Sequence, residues 1–234
     1  MKLAVMQPYI FPYLGYYQLV NAVDLFVFFD DVNYIKKGWI NKNNILVNDT
    51  AYKFTLPIKD ISQNKAINEV ELFDYKNWRE KFLKTIRFSY KKSPYFAQGF
   101  EIVSKILEQP HNYISDVAEC SIIEIAKYLN LNTKFEKSSN INYLRTAESG
   151  EEKILDICGN CNASVYINPI NGKDLYNGEN FKKQNITLNF INMDQISYNQ
   201  FSNENFVPSL SIIDVLMFND VKTIQLQLNK YILK

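Results

Sequence analysis

The sequence is poor in the residues on which many catalytic sites depend. Its 234 residues include one histidine, three cysteines and seven glycines. A single histidine and no GxSxG pattern argue against Ser-His-Asp and Cys-His hydrolases, and without a GxGxxG pattern nicotinamide or flavin chemistry has no support. An odd number of cysteines without a secretory signal argues against a disulfide framework.

Two of the cysteines, Cys158 and Cys161, have the CxxC spacing of metal and redox sites. A structural zinc ion needs two further ligands, and the sole histidine, His111, has no partner motif. We therefore interpret the pair as small residues at the end of a helix that Gly159 closes, and we predict no metal site.

The chain also lacks an excess of charge and long apolar segments. The net charge is +1, so no overall field favours nucleic acid or a membrane surface as a partner. No window approaches the length of a transmembrane span, and the N-terminus has no apolar stretch long enough for a signal peptide. We expect a soluble, cytoplasmic protein with neither a membrane nor, unless a charged tRNA serves as a donor, a nucleic acid as its partner.

Apolar and aromatic residues are abundant, at 47% and 15% of the chain. This is ample for the core of a single domain over residues 1–234. Apolar runs alternate with segments of helical spacing, which predicts an α/β fold: a Rossmann-like parallel sheet of about five strands with helices on both faces. The predicted strands are 3–6, 25–29, 133–136, 165–168 and 187–191. The predicted helices are 16–22, 78–90, 94–107, 113–129, 151–158, 177–183 and 210–218.

A long stretch separates the second and third predicted strands. Residues 45–47 and 52–58 flank the turn signal Asn48-Asp49-Thr50, which predicts a hairpin. Three predicted helices follow, and Ser115 is predicted to cap the third. Residues 45–115 are therefore predicted to form an insertion, with a hairpin and a helical subdomain.

Polar residues follow every predicted strand. In parallel sheets ligands bind at the carboxyl ends of the strands, so these residues are candidates for one shared site. The alternative is that strands must in any case exit into polar loops. The candidates, in strand order, are Gln7 and Pro8, Asp30 and Asp31, Ser138 and Ser139, Asn168 and Pro169, and Asn192 to Asp194.

The first strand leads into MQPYIFPYLGYY, a stretch rich in rigid residues. Proline fixes φ and extends the residue before it, so Pro8 and Pro12 stiffen the end of the strand. Gly15 permits a tight turn into the helix. Tyr13 and Tyr16 are then predicted to form the wall of a pocket whose charged groups come from the next loop.

That next loop begins at Asp30 and Asp31. Adjacent carboxylates can hold Mg²⁺ or orient an amine or a ribose hydroxyl, or they can form a turn or a helix cap. Further along, Lys36 and Lys37 could pair with phosphate, and Trp39 could stack on a base or sugar or turn inward as a core anchor. The loop also contributes three candidate ligand-binding side chains, Tyr34, Asn41 and Asn43.

Two further patterns are weaker. Backbone N–H groups around Asn171 and Gly172 could form an anion nest, to which Lys173 adds charge. Asp214 lies beside the apolar face of the last predicted helix, and we interpret it as an exposed residue or the cap of a neighbour.

Several of these stretches together resemble one family. MQPYIFPYLGYYQLVNAVDLFVFFDDVNYIKKGWINKNNIL, with KTI, YFAQGFEI, NPINGKDLY and LSIIDVLMFN downstream, resembles the WbqC-like proteins over nearly the whole chain. The order of QP, FPYLGY, DD and KGWINKN is its most specific part. The resemblance implies a link to the synthesis of O-antigen, lipopolysaccharide and other surface polysaccharides. For some members it implies transfer of glycine, or another aminoacyl group, to the amine of a nucleotide-linked (dTDP-type) amino sugar.

The implied activity gives the candidate residues roles. Asp30 or Asp31 would take the proton from the attacking amine, and Lys36 or Lys37 would hold the diphosphate. Aromatic packing against sugar or base is assigned to Tyr13, Tyr16 and Trp39, and orientation of the acyl donor to Gln7 and Asn41. The donor could be glycine activated by ATP, or glycine carried on a thioester or a tRNA. Nothing in the sequence selects a cofactor, although ATP and Mg²⁺ are compatible with it.

A second likeness is to nucleotidyltransferase-like α/β proteins such as pantothenate synthetase, which carry His-x-Gly-His at the first strand-to-helix turn. Here Tyr13-Leu14-Gly15-Tyr16 keeps the glycine and lacks both histidines. Tyrosine brings no positive charge, which argues against ATP adenylylation. An amide-forming transferase or ligase ranks first, and a nucleotidyltransferase ranks last. Between them stands a non-catalytic module that binds a sugar nucleotide or a partner enzyme, which the scarcity of nucleophiles favours.

Overall fold

A six-stranded sheet forms the centre of the protein, for which a computed structural model describes residues 1–59, 64–194, 196–202 and 205–234. Its strands are β1 (Lys2–Met6), β2 (Leu25–Phe28), β5 (Lys134–Lys137), β6 (Val165–Pro169), β7 (Thr187–Met193) and β8 (Tyr231–Leu233). Two more strands, β3 (Lys42–Val47) and β4 (Thr50–Thr55), form a separate antiparallel hairpin.

The strand order is β5-β2-β1-β6-β7-β8. The first five strands are parallel, as predicted, and β8 pairs antiparallel with β7 at the edge. The chain builds one half of the sheet outward from β1 and the other outward from β6. This confirms a mixed α/β fold with a mostly parallel central sheet of the Rossmann-like kind, extended by one strand that the sequence did not predict.

Eight helices are present in the described part of the chain. They are α1 (Leu14–Asn21), α2 (Tyr75–Tyr90), α3 (Phe96–Glu108), α4 (Ile114–Tyr128), α5 (Gly150–Asn160), α6 (Gly178–Lys183), α7 (Ile212–Phe218) and α8 (Val221–Leu228). Seven correspond to predicted helices. The eighth, α8, was missed because it follows α7 after a break of only two residues. No helix among the described residues combines the length and the apolar composition that a bilayer crossing requires.

Strand alternation divides the core between the two faces of the sheet. On β1, Leu3 and Val5 pack with helices α5 and α6, whereas Ala4 packs on the opposite face with α1 and α4. Both faces are therefore covered, which explains why β1 and β2 read as continuous apolar runs. Hairpin and α2 side chains such as Phe54 and Phe82 belong to the same hydrophobic cluster as α1, so the 45–115 segment shares its core with the sheet.

Two local predictions about helix ends are wrong. Ser115 does not cap α4, because it lies buried inside the first turn; the carboxylate of Asp116 instead accepts the Tyr113 backbone N–H at 2.9 Å. Gly159 does not close α5, since the helix continues to Asn160. The left-handed residue that turns the chain is Asn162, with φ of 53°, because a short amide side chain tolerates that conformation.

Candidate functional site

The sheet has a topological switch point between β1 and β6, where the two halves of the chain diverge. In open parallel sheets a crevice forms there beyond the carboxyl ends of the strands. A cavity of about 540 Å³ lies at this position, and we call it the switch-point cavity. Its wall includes Gln7 after β1, Asn168 at the end of β6, and Ser149 and Gly150 at the start of α5.

Asn168 and Gly172 shape one side of the switch-point cavity. The Asn168 Nδ2 group donates to the Tyr166 hydroxyl at 2.9 Å, which fixes the amide on a buried strand. A Cβ atom at position 172 would overlap Asn168 Oδ1, so the close approach of the backbone requires glycine here. The segment 170–175 is a short 3₁₀ helix, and Lys173 is exposed within it.

A second cavity, of about 420 Å³, lies on the other side of β6. We call it the α1 cavity, because Tyr13, Gly15 and Gln18 from the start of α1 form part of its wall. A Cβ atom at Gly15 would overlap Met193 and the Tyr13 ring, so glycine is needed for this packing. Among the described residues, the Tyr13 hydroxyl donates only to the Met193 sulfur, at 3.3 Å, which is a weak acceptor.

The two cavities adjoin. Pro169, the last residue of β6, and Asn171 line both of them, and we call this shared boundary the ridge. Of the residues predicted from the strand ends, this arrangement brings together Gln7, Asn168, Pro169 and the 192–194 segment.

Asp30 and Asp31 lie outside the walls of both cavities. Asp30 is 1% exposed, and its carboxylate accepts hydrogen bonds from the Ser138 hydroxyl at 3.0 Å and the Ser139 backbone N–H at 3.0 Å. It also accepts from the Ser139 hydroxyl at 2.7 Å and the Asn68 amide at 3.2 Å. These contacts connect the ends of β2 and β5 to the 67–69 turn. Asp30 therefore has a structural role, whether or not it also takes part in catalysis.

Asp31 is held by residues that the sequence analysis did not single out. Arg145 Nε donates to its carboxylate at 2.8 Å and the Tyr143 hydroxyl donates at 2.9 Å, and the Ser138 hydroxyl is a third, very close partner. Arg145 also donates through Nη2 to three backbone carbonyls of the 138–141 turn. Because Asp31 and Arg145 are 114 positions apart, no local pattern pointed to this pair.

A buried acid stands next to this network. Glu119 on α4 pairs with Lys137 at 2.7 Å, and its second carboxylate oxygen has no partner among the described residues. Burial raises the pKa of Glu119 to about 7, and the hydrogen bond from Lys137 offsets this only in part. Burial lowers the pKa of Lys137, but its hydrogen bond to Glu119 and the nearby carboxylates raise it, and the net shift is a rise.

The raised pKa of Glu119 predicts a pH-dependent stability. Because the folded-state pKa of about 7 lies above the unfolded value of 4.5, Glu119 contributes stability that is full below pH 4.5 and is lost as pH rises through 7. The loss is at most about 3 kcal/mol. We expect Glu119→Gln to remove this component, so that the variant gains stability relative to the parent as pH rises, measured by urea unfolding.

Glu124→Gln on the same helix is the matched control. Hydrogen bonds from Lys127 lower the pKa of Glu124, so its contribution is present above the unfolded value and is lost as pH falls. The two variants should therefore differ from the parent with opposite pH dependence. The assignment would be contradicted if the difference in unfolding free energy between the parent and Glu119→Gln did not change with pH.

The 34–44 loop divides into an exposed part and a structural part. Lys36 and Lys37 are exposed, and Trp39 is 52% exposed, so the inward-anchor alternative for Trp39 is wrong. Asn41 instead bonds the Tyr34 hydroxyl and the Leu56 carbonyl, both at 2.9 Å. None of these described residues lines either cavity.

Other predicted residues are buried by packing. Asn43 Nδ2 donates to the Phe11 carbonyl at 2.7 Å, which ties the hairpin to the chain before α1. Tyr16 lies in the core with its hydroxyl on the Gln7 carbonyl at 3.2 Å, so it does not face the cavities as Tyr13 does. Pro8 and Ser138 are also buried. Their roles as ligand-binding residues stay predictions.

Asp214 is neither exposed nor a helix cap, so that prediction is wrong. It is 0% exposed, and burial raises its pKa. Its carboxylate accepts from the Tyr90 hydroxyl at 2.8 Å, the Tyr198 hydroxyl at 2.7 Å and Gln200 Nε2 at 2.8 Å. Since Tyr198 lines the α1 cavity, Asp214 helps to hold one of its walls.

The cysteines show no sign of activation. Burial raises the pKa of Cys158 to about 12 and also raises the pKa of Cys161, so both thiols stay protonated at neutral pH. Among the described residues, no group of three or more His, Cys, Asp or Glu side chains is arranged to hold a metal ion.

Comparison with known proteins identifies the family. A sequence model of the WbqC-like protein family matches residues 7–226, which is most of the chain. The chain belongs to the WbqC-like family. The resemblance found in the sequence is thus confirmed. The chain is also similar to the uncharacterized protein Rv1507c of Mycobacterium tuberculosis, at 26% identity over 221 residues, or 93% of each chain. No solved structure matches it.

Proposed function

We propose that this WbqC-like protein forms an amide by transferring glycine, or a similar aminoacyl group, to the amine of a nucleotide-linked amino sugar used in surface-polysaccharide synthesis. The observation that carries the proposal is the pair of cavities that adjoin at Pro169 and Asn171, beside the switch point of the sheet. Both cavities fall within the range of about 300–1,000 Å³ that is usual for ligand sites, so one can receive the nucleotide sugar and the other the activated acyl group.

The proposed step uses one group in the wall of the α1 cavity and one next to the wall of the switch-point cavity. The amine nitrogen attacks the acyl carbon, the new C–N bond forms, and the bond from that carbon to the activating group breaks. Asp194, in the wall of the α1 cavity, is the proposed acceptor of the proton that the amine loses. Lys173, exposed next to Gly172 in the other wall, is the proposed partner of the diphosphate.

Incubation of the protein with a dTDP-linked amino sugar, glycine and ATP tests the proposal. We expect the nucleotide sugar to gain the mass of one glycyl residue, detected by mass spectrometry, and we expect Asp194→Asn to abolish this gain. Glycyl thioester and glycyl-tRNA replace glycine and ATP in parallel reactions. If none of the three donors gives a product with any dTDP-linked amino sugar tested, the proposal is wrong.

A non-catalytic module that binds a sugar nucleotide is the second candidate. This candidate is favoured because the carboxylates of Asp30 and Asp31, which were predicted to act as the base, already accept hydrogen bonds from other residues of the protein. Binding of the nucleotide sugar without product from any donor would support this alternative over the enzyme.

A further inference from the structure

Gln18 is a buried polar side chain in the wall of the α1 cavity. It lies on α1 and is 1% exposed. Its Nε2 group donates two hydrogen bonds of 2.9 Å, to the backbone carbonyls of Gln227 and Lys230. Gln227 lies in the last turn of α8, and Lys230 lies between α8 and β8. Gln18 is thus anchored by the C-terminal part of the chain.

These two bonds fix the orientation of the amide. Backbone carbonyls only accept hydrogen bonds, so the group that faces them must be the NH₂ and cannot be the oxygen. The other terminal atom of the amide is therefore Oε1, which can only accept hydrogen bonds. It has no hydrogen-bond partner among the described residues, unlike the Nε2 atom. A donor group on a ligand bound in the cavity would satisfy this acceptor.

The charge of the α1 cavity favours a ligand that donates hydrogen bonds. Asp194 places a carboxylate in the wall, and the described residues of the wall include no lysine, arginine or histidine. The Tyr13 hydroxyl directs its hydrogen to the Met193 sulfur, so its oxygen adds a further acceptor to the wall. An anionic group such as a phosphate would be repelled by the acceptors and the negative charge of this wall. An ammonium group would donate hydrogen bonds to the acceptors and would be attracted by the carboxylate.

We propose that the α1 cavity is the subsite for a primary amine, with Gln18 as its specificity-determining residue and Asp194 as its counter-charge. This inference rests on the proposed function and assigns its amine-bearing substrate to one of the two cavities. The same chemistry has two sources, the amino group of glycine and the amino group of the nucleotide sugar. The nucleotide part then lies towards the switch-point cavity.

Binding without turnover tests the assignment. Glycine is titrated against acetate, which lacks the amine, and a dTDP-linked amino sugar against dTDP-glucose, which carries a hydroxyl in its place. Calorimetry or ligand-observed NMR gives the affinities. In one of the two pairs, we expect the parent protein to bind the amine more tightly than its amine-free analogue. The pair that shows this preference identifies the source of the amine. Gln18→Met should weaken binding of that amine about tenfold while leaving its amine-free analogue unchanged.

Gln225→Met is the matched control, because Gln225 Nε2 also donates to a backbone carbonyl, that of Leu129 at 2.8 Å, outside both cavities. It should retain the affinity of the parent. Asp194→Asn provides a second variant, at an exposed position, in case Gln18→Met does not fold, and it should also weaken amine binding selectively.

Three results would overturn the inference. They are equal affinity for each amine and its analogue, unchanged amine affinity in both variants, and no binding of either amine to the parent. Because these are binding measurements, they separate failure of the subsite from failure of the reaction: an amine-selective protein that yields no amide product keeps the subsite and loses the proposed activity.

Discussion

Replacing Asp30 with alanine is expected to lower the free energy of unfolding by about 3 kcal/mol. The buried carboxylate accepts four hydrogen bonds, and its loss leaves the Ser139 backbone N–H, the Ser139 hydroxyl and the Asn68 amide without this acceptor, while the Ser138 hydroxyl keeps Asp31. The substitution also removes the side-chain hydrogen bonds between the end of β2 and the residues that follow β5. Urea unfolding of the variant and the parent measures the effect.

Two comparisons make the Asp30 result specific. Asp174→Ala, at an exposed aspartate, should not change stability measurably. Asp30→Asn keeps one acceptor oxygen and should cost less than Asp30→Ala. If Asp30 were the catalytic base and nothing more, Asp30→Asn would abolish turnover at unchanged stability. The structure predicts instead that stability falls, and that any residual turnover follows the folded fraction.

The second large effect is expected at Asp214. Asp214→Ala removes the shared acceptor of the Tyr90 and Tyr198 hydroxyls and of Gln200 Nε2, so both hydroxyls lose their acceptor, while Gln200 Nε2 keeps the Val207 carbonyl. We expect a loss of about 3 kcal/mol in unfolding free energy. Because Tyr198 lines the α1 cavity, binding of the amine ligand should weaken as well, which calorimetry on the folded variant measures.

Asp220→Ala gives the comparison for Asp214. Asp220 caps α8 by accepting the Thr223 backbone N–H at 2.7 Å, at an exposed position close to Asp214 in sequence. Loss of an exposed cap should cost clearly less and should leave ligand binding intact. If Asp214→Ala unfolds no more easily than Asp220→Ala, the buried network does not contribute the stability assigned to it.

Much of the fold was predictable because its signals are local. Apolar runs and the alternation of strands with helical segments gave the five parallel strands, and the turn signal at Asn48-Asp49-Thr50 gave the hairpin. The carboxyl-end rule then pointed to Gln7, Asn168 and the 192–194 segment, which do line the cavities. The β8 strand was missed because it has only three residues and pairs at the edge of the sheet.

The side-chain partners were not predictable, because they are far apart in sequence. Gln18 meets carbonyls more than two hundred positions away, and its burial depends on α8, which the sequence analysis did not find. Asp214 looked like a surface residue because its three donors come from α2 and the 198–200 segment. Asp30, Asp31 and Asn41 were predicted to bind a ligand, but the structure shows that they make hydrogen bonds within the protein.

A crystal structure with a dTDP-linked amino sugar tests the central claim, that the two cavities beside the switch point form the ligand site. We expect electron density that crosses the ridge at Pro169 and Asn171, with the ligand's donor groups facing the walls of the two cavities. Density over the exposed Lys36–Trp39 loop, or against Asp30 and Asp31, with both cavities empty, would contradict it.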